Sequence, residues 1–364
     1  MFRIVDTNSN NFDFIRLFVA ALVIFSHSFI LTAGTNAGEP LATITHGHET
    51  WGDLAVDVFF LISGYLVTAS YTRSRTLWAY LKKRISRIFP GFMLATLVTL
   101  FAVTTVTSAR LDGATRLSQA NHAILKAMTL RDLDWVGAFS SNPYPQVVNG
   151  SLWTIHFEFS CYVLLAIAGM CGVLRCRRVC LALFALSFAV RIAFGVWHSS
   201  QIAALHEGEI AHGVRFIPLF LAGATCYLYR DKLTFRLSFA MLATVILAAA
   251  TQVPDGLSCL FPAAGTYLVL FLAYHPAIRM SRFGHFGDFS FGTYLYGCPI
   301  QQFLVWMAHG HLNPYMLFLL ATPMAIIAGA ISWHLAEKWF LLRSRPAQKQ
   351  HQARNSRMQP IPSA

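Results

Sequence analysis

The chain has 364 residues, of which 55% are hydrophobic and only 12% are charged. Soluble domains carry about 25% charged residues, so this composition excludes an ordinary soluble protein; with repeated apolar runs of about 20 residues it indicates a polytopic membrane protein. The formal net charge of +12 would suggest a nucleic-acid partner in a soluble protein, but a chain this apolar is not expected to bind nucleic acid.

We predict an all-α polytopic membrane bundle of about ten transmembrane helices. An integral-membrane domain is expected over residues 1–340, followed by a basic tail over 341–364 that has too few apolar residues to fold. Most of the 28 lysines and arginines fall in loops on one side, which places both termini in the cytoplasm and the basic loops against membrane lipid. The spans are predicted near residues 12–32, 53–71, 88–107, 153–174, 178–197, 212–229, 235–251, 258–275, 288–308 and 314–336.

The first span carries charged residues that hydrocarbon would not tolerate. Arg16 and His27 are eleven residues apart, so they share one helical face about 16 Å apart along the axis. An ionisable side chain at the bilayer centre costs about 2.5–3.5 kcal/mol on insertion scales and therefore points at protein or water. We predict that this face lines a polar channel inside the bundle.

Asp57 in the second span is predicted at the same depth as His27. A carboxylate facing the imidazole would fix its tautomer and raise its basicity. The alternative is that Asp57 only caps the start of its helix.

Arg84 and Arg87 lie three residues apart on an amphipathic helix near the cytoplasmic surface. One interpretation is that they set the orientation of the chain in the membrane and contact anionic lipid. The other is that they bind a phosphate-bearing ligand, and their spacing favours neither interpretation.

Residues 108–152 form the one large outer segment, expected to act as a lid or binding surface. Glu158 follows in the outer half of the fourth span, either as a functional acid or as a partner of Arg191. Pro299 is expected to break or kink the ninth span, and the region around Glu337 to anchor the chain at the interface.

The cysteines and histidines give no metal signal. No pair of the seven cysteines falls in an outer loop, so neither a disulfide framework nor a zinc site is predicted.

Buried histidine, aspartate, glutamate and arginine also build the proton relays of transporters, which makes a proton-coupled permease the alternative function. No similarity between the two halves of the chain favours it.

Six stretches carry a resemblance to a known family. They are FDFIRLFVAALVIFSHS, VDVFFLISGYL, KKRISRIFP, NGSLWTIHFEF, FGDFSFGTYLYGCPI and AEKWF, in that order. Over residues 1–340 the chain resembles the acyltransferase-3 family of bacterial membrane O-acyltransferases. The resemblance implies an inner-membrane enzyme that moves an acetyl or other short acyl group from cytoplasmic acyl-CoA to a glycan or lipid-linked glycan.

The resemblance also implies roles for residues. Arg16 and His27 match the family's essential pair, Arg84 and Arg87 its paired-arginine motif, and Asp57 and Glu158 its recurring acidic positions. We therefore expect acetyl-CoA to bind at Arg16, Arg84 and Arg87, with no permanently bound cofactor. His27 is expected to act with Asp57 or Glu158, as a base or as a transient acyl carrier. Gly297 replaces a histidine that many relatives carry, and the tail has no room for the esterase-like domain of some.

Overall fold

The computed structural model describes residues 2–3, 10–106, 113–133, 135–201, 208–278, 280 and 287–343. Two-residue strands β1 (Phe2–Arg3) and β2 (Thr234–Phe235) pair antiparallel. Four 3-10 or π-helical segments extend or join helices: Leu152–Thr154, Val173–Arg175, Phe261–Gly265 and Trp333–Glu337. The α-helices are α1 (Phe12–Ala33), α2 (Pro40–Ile44), α3 (Trp51–Thr72), α4 (Leu77–Val106), α5 (Gly113–Met128), α6 (Ile155–Met170), α7 (Arg177–Gln201), α8 (Glu209–Leu228), α9 (Leu237–Ala250), α10 (Gly256–Leu260), α11 (Thr266–Tyr274), α12 (Ser290–Met307), α13 (Pro314–Ser332) and α14 (Lys338–Arg343).

The described part of the chain is a bundle of membrane helices, as predicted. Eight of its helical segments are long and apolar enough to cross a membrane. The other two predicted spans correspond to α9, which has only 14 residues, and to α12, whose 18 residues include two glutamines. The all-α polytopic class is therefore confirmed, whereas the count of ten stays a prediction.

Helix α1 packs against α3, α12 and α13. We call the membrane face at which α1 begins the first face and the face at which it ends the second face. Helix α3 returns from the second face, because Gly52 near its start lies against Ser26 near the end of α1. Helix α8 then packs against the opposite side of α3, and α7 against α8.

Glycines bring two helix pairs into backbone contact. A Cβ at Gly64 of α3 would overlap the carbonyl oxygen of Phe220 in α8, and one at Gly223 of α8 would overlap α3 in return. Gly292 of α12 and Gly329 of α13 meet in the same way, since a Cβ at Gly292 would lie 2.6 Å from the Cα of Gly329. Small residues permit such approach in membranes, where close van der Waals packing drives helix association.

The end of the long predicted outer segment enters the bundle as irregular chain that finishes in the 3-10 segment Leu152–Thr154. Asn142 Nδ2 donates to the Gln302 side chain (2.7 Å), and Gly150 N donates to Cys298 Sγ (3.1 Å). Irregular backbone is tolerated at this depth only where protein satisfies its polar groups or where it lines a cavity. We call residues 142–154 the re-entrant segment.

Pro299 does not break α12, which is continuous from Ser290 to Met307. A proline lacks the N–H that would bond to the carbonyl four residues earlier, here that of Leu295. Asn149 Nδ2 of the re-entrant segment donates to this carbonyl at 2.8 Å. The predicted break is therefore wrong, although the freed carbonyl exists and has a partner.

Two other regions differ from the sequence-based prediction. The third span is part of one 30-residue helix, α4, which begins at Leu77 and runs through Pro90. At the end of the chain, Glu337 is fully buried rather than interfacial. Helix α14 reaches Arg343, and the remainder of the predicted tail, 344–364, lies outside the described residues.

Candidate functional site

His27 lines a cavity of about 380 Å³ between α1, α3 and the re-entrant segment. We call it the histidine cavity. The Nδ1 atom of His27 is buried and has no hydrogen-bond partner among the described residues. The re-entrant segment supplies much of the wall, which fits the binding role predicted for the long outer segment. Its lining residues from this segment are Tyr144, Gln146, Val147, Val148, Asn149, Gly150 and Trp153.

Asp53 and Asp132, rather than Asp57, are the carboxylates that line the histidine cavity. Asp53 lines the cavity and its charge acts on the His27 ring. Asp57 is one helical turn deeper in α3, is 1% exposed, and accepts hydrogen bonds from Arg215 (Nε to Oδ1, 2.8 Å). The predicted pairing of Asp57 with His27 is therefore wrong. Asp53 also completes the capping box that begins α3, with Thr50 as its partner.

Arg215 of α8 holds three carboxylates together. Its Nη2 donates to Glu49 Oε2 (3.1 Å) and to Asp57 Oδ2 (3.1 Å), and its Nη1 lies 3.5 Å from Asp53 Oδ1. We call Glu49, Asp53 and Asp57 the carboxylate cluster. Burial raises the pKa of Glu49 to about 7, although the Arg215 guanidinium acts in the opposite direction. The sequence analysis assigned no role to Arg215.

A second cavity lies nearer the first face, between α1, α3, α4, α6 and α12. Its volume is about 40 Å³, and Arg16, Arg87, Glu158 and Tyr162 are among its lining residues. We call it the arginine cavity. Val56 of α3 and Tyr294 of α12 line both cavities. We call this shared pair of side chains the neck.

Arg16 and Arg87 are joined by an acidic residue that the sequence analysis missed. Both donate to Oδ2 of Asp288, Arg87 at 2.6 Å. Arg87 also lies 3.6 Å from Oε2 of the buried Glu337. Two of the three arginines predicted to bind acyl-CoA are thus paired with carboxylates. Asp288 lies in the FGDFSF stretch, and an acid placed there among basic residues at the same membrane face was the available signal.

Arg84 lies apart from this pair. Its Nη2 donates to Ser70 Oγ (3.3 Å), and its guanidinium lies over the Tyr162 ring at 5.7 Å. Its Nε is buried without a partner, and among the described residues it forms no ion pair. Of the three predicted donor-binding arginines, Arg84 is therefore the one that forms no ion pair with the described residues.

Glu158 belongs to the arginine cavity rather than to the histidine cavity. Ser63 Oγ donates to its Oε1 at 2.5 Å, and the Tyr162 hydroxyl donates to the same oxygen. Arg191 donates instead to Ser258, so the predicted Glu158–Arg191 pair is wrong. The sequence predicts Glu158 in the outer half of its span, whereas the structure places it with Arg16 in the cavity nearer the first face. Glu158 and Asp57 therefore both lie away from His27.

The comparisons with known proteins agree with this architecture. The chain is 26% identical over 346 residues to an "O-acetyl transferase" of Shigella phage Sf6, and the alignment covers 93% of this chain and 98% of that protein. It is 26% identical over 354 residues to "Nodulation protein 10" of Rhizobium leguminosarum bv. viciae, covering 90% of this chain and 92% of that protein. No solved structure matches.

A family described as "Acyltransferase domain" matches residues 9–336. The match spans every element from α1 to the π-helical segment before α14, including both cavities. The chain therefore belongs to the acyltransferase-3 family and is a membrane O-acyltransferase.

Proposed function

We propose that the protein transfers an acetyl group from acetyl-CoA, present on the cytoplasmic side, to a sugar hydroxyl of an exported glycan or lipid-linked glycan. The observation that carries the proposal is the pair of adjoining cavities. One contains cations suited to a phosphorylated donor, the other contains an imidazole and has room for an alcohol, and the two residues of the neck line both. The phage relative is named an O-acetyl transferase, which favours acetyl as the group transferred.

The first face is the donor side in this proposal, and it is cytoplasmic together with both termini. Arg84 is the first contact for a donor phosphate, because guanidinium groups bind phosphate oxygens in pairs of hydrogen bonds. Arg16 and Arg87 line the arginine cavity beneath it, and Asp288 holds them in place until the donor arrives. The acyl thioester then extends towards the neck.

His27 is the reactive group on the acceptor side. As a base, it takes the proton from the sugar hydroxyl, the oxygen attacks the thioester carbonyl, the carbon–sulfur bond breaks, and the proton passes to the thiolate. As a nucleophile, its neutral ring nitrogen attacks the thioester carbonyl, the carbon–sulfur bond breaks and the thiolate leaves. The sugar oxygen then attacks the acyl-imidazolium, the carbon–nitrogen bond breaks, and the hydroxyl proton passes to the thiolate. In both routes the imidazole becomes cationic, and the Asp53 carboxylate on the same cavity stabilises that charge.

The function is tested with membrane vesicles of known orientation. Acetyl-CoA does not cross membranes, so labelled acetyl-CoA is expected to label the glycan in inside-out vesicles and not in right-side-out ones. His27→Ala is expected to lower transfer roughly 10²–10⁴-fold, the usual contribution of a positioned base. His46→Ala, which changes an exposed loop histidine, is the matched control. Wild-type transfer by His27→Ala, or no labelling from acetyl-CoA in either orientation, would refute the proposal.

The donor role of Arg84 has its own measurement. Arg84→Ala is expected to raise the KM for acetyl-CoA roughly 10- to 150-fold with little change in kcat, which corresponds to one lost charge-assisted hydrogen bond of about 1.5–3 kcal/mol. Arg75→Ala, in the exposed loop between α3 and α4, is the control. Equal KM values for the two variants would leave Arg84 with only a topological role.

A further inference from the structure

The charged side chains on the wall of the histidine cavity are acidic. Asp53 and Asp132 both line it, and none of the other described lining residues is a lysine or an arginine. His27 is neutral when it acts as a base or a nucleophile, so it adds no positive charge before the reaction begins. An incoming acceptor therefore meets two carboxylates and no cation on the described wall.

Two arginines lie beside these acids, and each is already paired with carboxylates. Arg215 contacts Asp53 (Nη1 to Oδ1, 3.5 Å), but the same guanidinium is shared by all three acids of the carboxylate cluster. Arg131 precedes Asp132 in the chain, and its Nη1 donates to Glu209 Oε1. Neither arginine lines the histidine cavity, so neither is placed to pair with an anionic acceptor there.

Asp132 differs from Asp53 in having no partner. Asp53 accepts hydrogen bonds from Thr50 N (3.0 Å) and Thr50 Oγ1 (2.6 Å), whereas Asp132 is exposed and forms no ion pair or side-chain hydrogen bond with another described residue. An ionised carboxylate only accepts hydrogen bonds, and a sugar hydroxyl can donate one. The amide side chains of Asn36 and Gln146 line the same cavity and can both donate and accept. The wall is therefore suited to a ligand that carries several hydroxyl groups.

We propose that the sugar residue that is acetylated carries no negative charge, and that Asp132 binds it by accepting a hydrogen bond from a hydroxyl group other than the one acetylated. This inference rests on the proposed function, because it takes the histidine cavity as the acceptor site. A uronic acid or a phosphorylated sugar would bring like charge to Asp53 and Asp132, and such charge pairs select against a ligand. A neutral hexose or an N-acetylated amino sugar offers hydroxyl donors without that repulsion.

The test measures acetyl transfer by the purified protein from labelled acetyl-CoA to lipid-linked glycan extracted from its native membranes. Asp132→Asn keeps the shape of the side chain and removes its charge. Asp231→Asn is the matched control, since Asp231 is also exposed and lines neither cavity. We expect Asp132→Asn to raise the KM for the glycan at least about tenfold, the effect of losing a hydrogen bond to a charged group, with the KM for acetyl-CoA unchanged. Its unfolding temperature should stay near that of the wild type, because Asp132 is exposed.

The direction of the change in KM separates a neutral sugar from an acidic one. If the sugar were negatively charged, Asp132→Asn would relieve a repulsion and lower the KM for the glycan, which would overturn the inference. Equal KM values for Asp132→Asn and Asp231→Asn would also overturn it. Asp132→Glu retains a carboxylate and is expected to have a KM closer to the wild-type value than Asp132→Asn has.

Mass spectrometry of the labelled glycan gives an independent readout. We expect the labelled acetyl ester on an uncharged sugar residue, and a label on a uronic acid or a phosphorylated sugar would overturn the inference. All of these contrary results leave acetyl transfer and the proposed function intact. Absence of any label from acetyl-CoA in the glycan would instead refute the proposed function, and the inference would fall with it.

Discussion

Among the residues away from the reacting groups, Arg215 is the one whose removal should destabilise the folded protein most. It forms hydrogen bonds or an ion pair with all three acids of the carboxylate cluster, two of which have nearly inaccessible side chains: Asp57 is 1% exposed and Glu49 is 5% exposed. Asp53 is 36% exposed and contributes less, because solvent screens its charge. In Arg215→Met the two buried carboxylates lose their cation.

The expected cost follows from these two buried acids. Removing one partner of a buried ion pair typically destabilises a protein by about 3–5 kcal/mol, because the other charge stays buried without compensation. Arg177→Met is the control, since Arg177 lies 3.6 Å from Asp231 and their side chains are 42% and 64% exposed. Pairs exposed to this extent contribute about 1 kcal/mol or less.

Thermal unfolding in detergent can be followed with a thiol-reactive fluorophore, because four cysteines are buried in the folded protein and become reactive when it opens. They are Cys161, Cys180, Cys259 and Cys298. We expect Arg215→Met to unfold at a clearly lower temperature than Arg177→Met. The double variant Arg215→Met/Asp57→Asn should recover part of the loss, since it removes one of the uncompensated charges. Equal unfolding temperatures for the two single variants, or simple addition in the double variant, would contradict the reasoning.

Three further predictions address stability. Burial raises the pKa of Glu49 from 4.5 to about 7, so its stabilising contribution is complete below pH 4.5 and is lost as the pH rises through about 7. The unfolding temperature of the wild type should therefore fall more between pH 6 and pH 8 than that of Glu49→Gln. Asn149→Ala should lower the free energy of unfolding by about 1–3 kcal/mol, because it leaves the buried Leu295 carbonyl of α12 unpaired. Adding Pro299→Ala to that variant should restore much of the lost stability, because the new backbone N–H can donate to the same carbonyl. Gly64→Ala should separate α3 from α8 and lower the unfolding temperature, whereas Gly213→Ala on α8, with open space around it, should not; equal effects of the two glycine changes would show that the helices can shift apart freely.

Much of the bundle follows from local properties of the sequence. The apolar runs predicted the membrane helices, and the helical period placed Arg16 and His27 on one face of α1, where the structure finds them lining two adjoining cavities. Both inferences depend only on residues near one another in the chain. The π-helical segment before α14 and the full length of α4 were not predicted, since they depend on packing rather than on composition.

The partners of the charged side chains were not predicted in the same way. The predicted depth put Asp57 level with His27, but depth along a helix does not determine which neighbouring helix a side chain faces. Asp57 lies on the side of α3 that packs against α8, where it accepts a hydrogen bond from Arg215. Asp53, one turn earlier, faces the histidine cavity. Asp288, far from Arg16 in the chain, illustrates the same limit.

The amino-acid sequence by itself determined that this protein is a membrane helix bundle of an acyltransferase family, because hydrophobic length and helical spacing are properties of a single segment. Only the tertiary structure decided that Glu158 lies in one cavity with Arg16, that Asp53 accompanies His27 in the other, and that Val56 and Tyr294 line both. Those features arise where separate helices meet, and the packing of side chains between helices sets them.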